Sequence, residues 1–259
     1  MILGFDIGNT STTLGIYNQQ DISPAKTFRF NTERGITSEK FEPMIKNFIN
    51  QYRDEINTRF SVTGIAFSSV VPEVNRFYHK MSENLYNITP LEIDCHKTLG
   101  ISIHYDNPEE LGCDRIVNAV AAYNEYMRDC IIIDLGTATT FCVLLKEGIF
   151  DGGIIAPGIG ITIDALANKT SQLVKVNFEK CEKLVARNAI DAIKSGFFYG
   201  WISLVEGIIN RIEKQYGKIF LPLITGGFAD LIGSNMERDC FVDYFLTMKG
   251  IKYIYNMNY

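Results

Sequence analysis

Short apolar runs alternate along this 259-residue chain with longer segments in which apolar positions recur at helical spacing. The short runs predict buried strands, and the spaced segments predict amphipathic helices. Beyond the two hairpins described below, strands are predicted over residues 26–31, 62–67, 101–105 and 220–224, and another runs from residue 148 to a Gly/Pro turn at 157–158. Helices are predicted over residues 38–52, 72–85, 159–167 and 245–256, and a further long helix is predicted to start near Asp114. Residues 183–212 are predicted to form one or two helices, interrupted at Gly196 and Gly200. The alternation indicates an α/β protein.

The first apolar run leads into a turn rich in glycine, asparagine and hydroxyl residues. Residues 2–5 are apolar, D-I-G-N-T-S-T-T-L-G follows at 6–15, and a second apolar stretch comes after it. This pattern predicts a β-hairpin rather than a strand that enters a helix. Gly8 allows close approach to a bulky ligand, while the turn N–H groups and hydroxyls can donate to phosphate oxygens. Asp6 could hold a metal ion, although an ordinary Asn/Gly-rich hairpin is an alternative explanation.

A second copy of this plan begins at residue 131. The sequence I-I-I-D-L-G-T-A-T-T-F-C-V repeats an apolar strand, Asp-x-Gly, hydroxyl residues and a further apolar strand. When Asp134 is aligned with Asp6, the glycines coincide, and so do Thr12 and Thr140. An internal repeat is considered before any single local motif. This one predicts two related domains, residues 1–115 and 116–259. Paired Asp-x-Gly hairpins resemble those of the actin/Hsp70/sugar-kinase superfamily, which implies two domains around one nucleotide.

Composition and charge narrow the class of protein. Hydrophobic residues make up 46% of the chain, which is typical of a globular protein. The formal net charge of −5 gives no electrostatic basis for binding nucleic acid or an anionic membrane, so neither partner is expected. No apolar run approaches the roughly 18 residues needed to span a bilayer, and no signal peptide is recognised. The six cysteines form no C-x-x-C pair, which indicates reduced thiols in a cytoplasmic protein.

Polar residues also stand at two predicted ligand-binding positions between the repeats. Ser68 and Ser69 follow a buried strand at the end where open α/β sheets bind ligands, although a helix cap and turn is the favoured explanation of each serine alone. Asp114 and Arg115 stand at the predicted start of a long helix. The helix dipole stabilises an acid there but not a cation. An acid–base pair at this junction therefore indicates a catalytic constellation more than a helix cap.

Seven segments, in this order over nearly the whole chain, resemble the type III pantothenate kinase family. They are D-I-G-N-T-S-T-T-L-G, S-S-V-V-P, Y-D-N-P-E-E-L-G-C-D-R-I-V-N-A, D-L-G-T-A-T-T, G-G-I-I-A-P-G, S-G-F-F-Y-G and T-G-G-F-A. The co-occurrence of G-x-D-R with both Asp hairpins carries most of the specificity. The resemblance implies two ribonuclease-H-like domains, each a mixed sheet flanked by helices and related by duplication. It also implies ATP-dependent phosphorylation of pantothenate in coenzyme A synthesis, and a homodimer.

The resemblance further implies roles for matching residues. The ATP-binding residues would be Asp6, Ile7, Gly8, Asn9, Thr10, Ser11, Thr12 and Thr13, together with Thr137. Tyr105, Gly112, Cys113, Asp114 and Arg115 would hold pantothenate, with Asp114 as the proton acceptor. Asp134 would bind a monovalent cation, K⁺ or NH₄⁺, and Mg²⁺ would bridge the phosphates with Asp6 orienting it.

One substrate-binding position departs from the family pattern. The family usually has Asn-Thr where this chain has Asn188 and Ala189, so the threonine hydroxyl that contacts pantothenate is missing. Loss of one such hydrogen bond costs on the order of 1 kcal/mol, which should weaken binding without abolishing it. Three alternatives remain open at this point: another small-molecule kinase, a non-catalytic nucleotide-binding regulator, and a phosphatase or ATPase without an acceptor.

Overall fold

The structure of the protein is a computed structural model that describes residues 1–170 and 173–259. The chain divides into two compact units. The first comprises Met1–Asn124 together with Phe245–Tyr259, and the second comprises Glu125–Tyr244. The predicted domain boundary after residue 115 stays a prediction, because compactness alone does not define the limits of the duplicated domains. No helix in the described part of the chain has the length and apolar character to cross a membrane.

The first unit is built on a five-stranded mixed sheet in the order β3-β2-β1-β4-β5. Its strands are β1 (Ile2–Ile7), β2 (Ser11–Tyr17), β3 (Lys26–Asn31), β4 (Gly64–Ser69) and β5 (Leu91–Glu92), and β6 (Ser102–Ile103) follows in the chain. The helices are α1 (Ser38–Glu55), α2 (Pro72–Tyr86), α3 (Cys113–Tyr126), whose end lies in the second unit, and α7 (Leu246–Asn258). A 3-10 turn covers Pro108–Glu110. The β1–β2 and β2–β3 pairs are antiparallel, whereas β1–β4 and β4–β5 are parallel.

The two faces of this sheet are covered differently. Apolar side chains of β1 such as Phe5 join Phe41 and Tyr78 of α1 and α2 in a buried cluster on one face. On the other face, a Cβ added to Gly4 would lie 3.1 Å from Ile251 of α7. Helix α7 can lie this close because small residues occupy that face of β1 and β2. The even-numbered face of β1, which carries Asp6, is therefore the α7 face.

The second unit repeats the same strand plan. Its strands are β7 (Cys130–Leu135), β8 (Ala138–Leu145), β9 (Ile149–Pro157), β10 (Leu221–Thr225) and β11 (Phe241–Val242), and its helices are α4 (Ile159–Lys169), α5 (Ala189–Tyr216) and α6 (Ala229–Gly233). These strands run in the order β11-β10-β7-β8-β9, with β7–β8 and β8–β9 antiparallel and β7–β10 and β10–β11 parallel. The order and the directions match those of the first sheet. The predicted architecture of two mixed sheets flanked by helices is thus confirmed.

Several local predictions differ from the structure. Helix α1 begins at Ser38 as predicted but extends to Glu55, three residues beyond its predicted end. The predicted strand over 101–105 is reduced to the two residues of β6. Helix α5 is a single helix of 28 residues, so the predicted interruption at Gly196 and Gly200 is wrong. Burial of Phe198 and Trp201 on the same helix outweighs the intrinsic cost of glycine, about 1 kcal/mol each.

Candidate active site

The β1–β2 hairpin forms as predicted, and its turn is tight. The Gly8 N–H donates to the Ser11 carbonyl oxygen at 3.1 Å and closes the turn. A Cβ at Gly8 would lie 3.1 Å from that same oxygen, so a larger residue would push the turn open. Asn9 and Thr10 at the tip are exposed, while Asp6 at the end of β1 is half-buried. The turn therefore presents its tip to solvent and its acidic residue to a partly enclosed surface.

A row of polar side chains crosses four strands at the level of Asp6. Asp6 pairs with Thr13 of β2 and with Ser68 of β4, and Thr13 pairs with Arg29 of β3. Residues that lie opposite one another in neighbouring strands point to the same face of a sheet. The row Ser68–Asp6–Thr13–Arg29 thus lies on the α7 face. Ser68 is 1% exposed, and its hydroxyl has no hydrogen-bond partner among the described residues.

The start of α3 lies against the strand ends of this same sheet. A Cβ at Gly112 would lie 2.6 Å from Asp114 Oδ1 and 3.7 Å from Val70 Cγ1. Val70 is itself tied to β1, because its N–H donates to the Ile7 carbonyl oxygen at 3.0 Å. Glycine at position 112, beside the loop after β4, therefore leaves room for the Asp114 carboxylate, which a larger residue would displace.

The Asp114 carboxyl group has an unusual environment for an acid. Burial raises its pKa above the ordinary value for aspartate. The Arg115 N–H, which donates to Asp114 Oδ1 at 2.8 Å, and the positive charge of Arg115 oppose that rise. Burial dominates, so the group is a stronger base than a solvated aspartate. Such a perturbed acid at the end of a sheet is a candidate for proton transfer.

Cys113 holds the same loop in place. Its Sγ–H donates to the Ile93 carbonyl oxygen at 3.1 Å. Burial raises the pKa of the Cys113 thiol to about 11, despite a hydrogen bond with the Ser69 backbone. The group is consequently a neutral thiol at pH 7, which suits packing and not nucleophilic catalysis.

Arg115 and Tyr105 lie together beside this loop. The Arg115 side chain is 5% exposed, and its guanidinium carbon lies 5.7 Å from the centre of the Tyr105 ring. A guanidinium over an aromatic face is held in a defined orientation by the ring quadrupole. The predicted grouping of Tyr105 with the residues 112–115 is therefore seen in the first unit.

The second hairpin has its own supporting glycines. The Gly136 N–H donates to the Ala138 carbonyl oxygen at 3.0 Å, which closes the turn. Gly226, between β10 and α6, has a φ of +94°, and an added Cβ would lie 2.6 Å from Asp134 Oδ1. The glycine turn after β10 thus packs directly against Asp134. Asp134 is half-buried, whereas Thr137 at the hairpin tip is exposed.

Ala189 lies apart from these hairpins in the sequence, as the first residue of α5. Asn188 caps the helix, because its side chain accepts the Asp191 N–H at 2.9 Å. Ala189 itself is exposed and adds no polar side-chain atom. The cap would form equally well with threonine at position 189. The alanine is therefore not required by the local fold.

Comparison of sequences identifies the relatives of the chain. The family model of type III pantothenate kinase matches residues 2–211. A type III pantothenate kinase of Halalkalibacterium halodurans is 39% identical over 259 residues, which cover 100% of both chains. The enzyme of the same description from Shouchella clausii is 37% identical, again over 100% of both chains.

Comparison of structures identifies the fold. A Campylobacter jejuni protein assigned to the Baf family of transcriptional activators aligns with a TM-score of 0.62 and 20% identity, over 99% of this chain and 98% of that one. Component A of the Acidaminococcus fermentans (R)-2-hydroxyglutaryl-CoA dehydratase aligns with a TM-score of 0.54 and 12% identity, over 96% and 94%. At these identities the likeness concerns the fold alone. The predicted ribonuclease-H-like, actin-like architecture is confirmed.

Proposed function

The chain belongs to the type III pantothenate kinase family, and from this premise we propose how its residues transfer the γ-phosphoryl group of ATP to the 4′-hydroxyl of pantothenate. This reaction is the first step of coenzyme A biosynthesis. The observation that carries the assignment of roles is the position of Asp114. Its desolvated carboxylate, at the start of α3, packs against Gly112, and Gly112 itself lies beside the loop that follows β4, next to the end of β1.

The β1–β2 hairpin binds the ATP phosphates in this proposal. Its turn is short, glycine-containing and rich in N–H and hydroxyl donors, which is the chemistry that phosphate oxygens need. The residues concerned are Asp6, Ile7, Gly8, Asn9, Thr10, Ser11, Thr12 and Thr13. Their support is the tight turn closed by the Gly8 N–H and the exposed tip at Asn9 and Thr10.

Asp114 accepts the proton of the attacking pantothenate hydroxyl. A general base must first orient the hydroxyl, and in a loose phosphoryl transfer the proton leaves late. Burial raises the pKa of Asp114, so its carboxylate is better matched to this task than a solvated one. The bond from the Arg115 N–H to Asp114 Oδ1 fixes the orientation of the carboxylate.

The remaining pantothenate contacts come from the residues around Asp114. Arg115 carries a planar guanidinium that suits a carboxylate or a moving phosphoryl group, and Tyr105 orients it. Gly112 and Cys113 supply backbone and space rather than charge. Ala189 offers no hydroxyl, so we expect pantothenate to bind more weakly here than in an enzyme with threonine at that position.

Metal ions complete the proposal. Among the described residues no three His, Cys, Asp or Glu side chains are grouped as a metal cage. Mg²⁺ keeps several waters and takes few protein ligands beside substrate phosphates, and the single half-buried carboxylate of Asp6 at the end of β1 fits that requirement. Asp6 would orient Mg²⁺, which supplies charge neutralisation on the phosphates. Asp134 would hold a monovalent cation, K⁺ or NH₄⁺, and Thr137 would contact ATP.

A homodimer is the proposed assembly. An apolar groove of about 460 Å³ between α4 and α5 is lined by residues such as Leu166, Phe197 and Trp201. Gly196 and Gly200 open on the same groove, and neither has a neighbour within 4 Å of an added Cβ. Glycines on an exposed helix face allow another helix to approach closely. A second copy of the chain is the occupant that we propose.

Release of ADP from Mg-ATP, with and without pantothenate and in K⁺ or Na⁺, tests the function. We expect release that depends on pantothenate and is stimulated by K⁺. Release that ignores pantothenate would indicate an ATPase or a different acceptor. Binding of ATP without any release would favour a regulator. Sedimentation in the same buffers tests the dimer, for which a monomer at micromolar concentration would be the contrary result.

A further inference from the structure

Two arginine side chains hold the tip of the first hairpin from the segment that follows it in the sheet. Arg29 of β3 donates to Ser11 Oγ from Nε at 3.0 Å and from Nη2 at 2.9 Å. Arg34, just after β3, donates from Nη2 to Asn9 Oδ1 at 2.9 Å. Both guanidinium groups thus lie at side chains of the proposed phosphate-binding turn.

The backbone fixes this segment against the turn. The Thr32 N–H donates to the Thr10 carbonyl oxygen at 3.1 Å. The hydroxyls of Thr12 and Thr32 are hydrogen-bonded at 2.9 Å. These two contacts hold residues 29–34 beside the hairpin independently of the arginines. The arginine side chains are therefore not needed to bring the segment to the turn.

Among the residues that the structure describes, neither arginine has a carboxylate to neutralise it. Within the described part of the chain, Arg29 and Arg34 form no ion pair, and both residues are exposed. By contrast, Lys26 on the same strand pairs with Glu55 at 2.5 Å. Arginine has five N–H donors, and the bonds to Ser11 and Asn9 use only part of them. Donors and positive charge remain for a ligand.

Charge makes this arrangement significant for a nucleotide. The chain carries a formal net charge of −5, so its overall field repels ATP. Neighbouring strands are about 4.8 Å apart, which puts the Arg29 Cα about 10 Å from that of Asp6 along the polar row. An extended arginine side chain covers much of such a distance. The guanidinium groups of Arg29 in β3 and of Arg34 just after it place two positive charges at the turn.

We propose that Arg29 and Arg34 bind the phosphates of ATP at the rim of the first hairpin. This inference rests on the proposed function of that hairpin and extends its ligand set to the edge strand. Arg29 binds the phosphates through the guanidinium N–H groups that are not bonded to Ser11. Arg34 binds them through those that are not bonded to Asn9. A triphosphate accepts such charge-assisted hydrogen bonds strongly.

A purely structural role makes different predictions. If the arginines only brace Ser11 and Asn9, a neutral side chain that still donates a hydrogen bond should preserve nucleotide binding. Glutamine meets that condition, because its amide donates but carries no charge. Arg29→Gln and Arg34→Gln therefore remove the charge and keep a brace. Lys26→Gln is the matched control, since it removes a positive charge from the same strand away from the turn.

The experiment measures dissociation constants of the full-length protein for adenosine, ADP and ATP by calorimetry. We expect each Arg→Gln change to weaken ATP binding about 10- to 100-fold, to weaken ADP binding less, and to leave adenosine within about twofold. Arg29→Lys should recover part of the loss, because it restores the charge without the planar fork. Lys26→Gln should behave like the unmodified chain for all three ligands.

Hydrogen exchange of the turn amides, residues 8–11, separates the two roles. If the variants exchange these amides at the unmodified rate and lose more affinity the more phosphates the ligand carries, the arginines bind the phosphates directly. Faster exchange with equal losses for ADP and ATP would overturn the inference in favour of a brace, and so would ATP binding within twofold of the unmodified chain. If the unmodified protein itself fails to bind ATP, the proposed function fails; if it phosphorylates pantothenate and the variants match it, only this inference fails.

Discussion

Replacement of Asp114 by asparagine is the sharpest test of the chemistry. The change removes one charge and keeps the shape of the side chain. Asparagine Oδ1 can still accept the Arg115 N–H, which lies 2.8 Å from Asp114 Oδ1. The absence of a side chain at Gly112 leaves room for the asparagine as it does for the aspartate. The variant should therefore fold normally, and any loss of activity reports the missing base.

The expected loss of activity follows from the proposed role of Asp114 as a general base. A positioned general base contributes about 10²- to 10⁴-fold to the rate, which is about 3 to 5 kcal/mol of barrier. We expect kcat of Asp114→Asn to fall by that factor. The KM for ATP should change little, because the proposed phosphate-binding hairpin is formed by other residues. A loss in this range would place Asp114 at the reacting hydroxyl.

The pH dependence gives a second, independent signature. Burial raises the pKa of Asp114, so kcat/KM of the unmodified enzyme should fall with decreasing pH at a higher pH than an ordinary aspartate would give. For stability, the folded state binds more protons than the unfolded state between the ordinary pKa and the raised one. The free energy of unfolding therefore decreases as the pH rises through that window. Asp114→Asn lacks this decrease and should be the more stable protein at pH 7.

The assay is pantothenate-dependent ADP release from pH 4.5 to 8, with thermal unfolding of the same samples. Glu110→Gln is the matched control, because Glu110 is an exposed carboxylate in the turn just before α3. We expect the control to keep full activity. If Asp114→Asn retained kcat within about threefold of the unmodified enzyme, another group would have to be the base.

Three further changes test the surroundings of the site. Asp134→Ala should abolish the stimulation of ADP release by K⁺ over Na⁺; persistent stimulation would place the cation elsewhere. Ser68→Ala removes a buried hydroxyl that has no hydrogen-bond partner in the described part of the chain. Urea unfolding should therefore show unchanged stability or a gain of up to about 1 kcal/mol, and a clear loss would contradict this. Gly226→Ala should lower stability by about 1 to 3 kcal/mol, because φ is +94° and the new Cβ would meet Leu135 at 2.7 Å. Gly227→Ala, with no atom within 4 Å, is its control in the same unfolding measurement.

The parts of the fold that were predictable are those with local signals. Each Asp-x-Gly hairpin is encoded within about fifteen consecutive residues, and the repeat of that pattern indicated two similar sheets. Strand and helix ends were less predictable. Helix α5 continues through Gly196 and Gly200 because the burial of its aromatic residues decides the outcome, and burial is a tertiary property.

The candidate site was predictable where its residues are neighbours in the chain. Residues 112–115 form one motif, and their grouping with Tyr105 spans only a short loop. The environment of Asp114 was not predictable in the same way. Burial raises its pKa, and burial is a tertiary property: Val70, which lies beside the neighbouring Gly112, comes from more than forty residues earlier in the chain.

The polar row across the first sheet shows why a site made of side chains from several strands cannot be predicted without the register of those strands. Ser68, Asp6 and Arg29 come from three separate strands, and only the pairing of those strands brings them to one level of one face. A shift of one residue in any strand would turn its side chain to the opposite face. Arg29 would then point into the layer of α1 and α2, where Phe28 now packs. Because apolar alternation in β3 fixes that register, the same residues that bury the core also deliver a charged side chain to the proposed phosphate-binding turn.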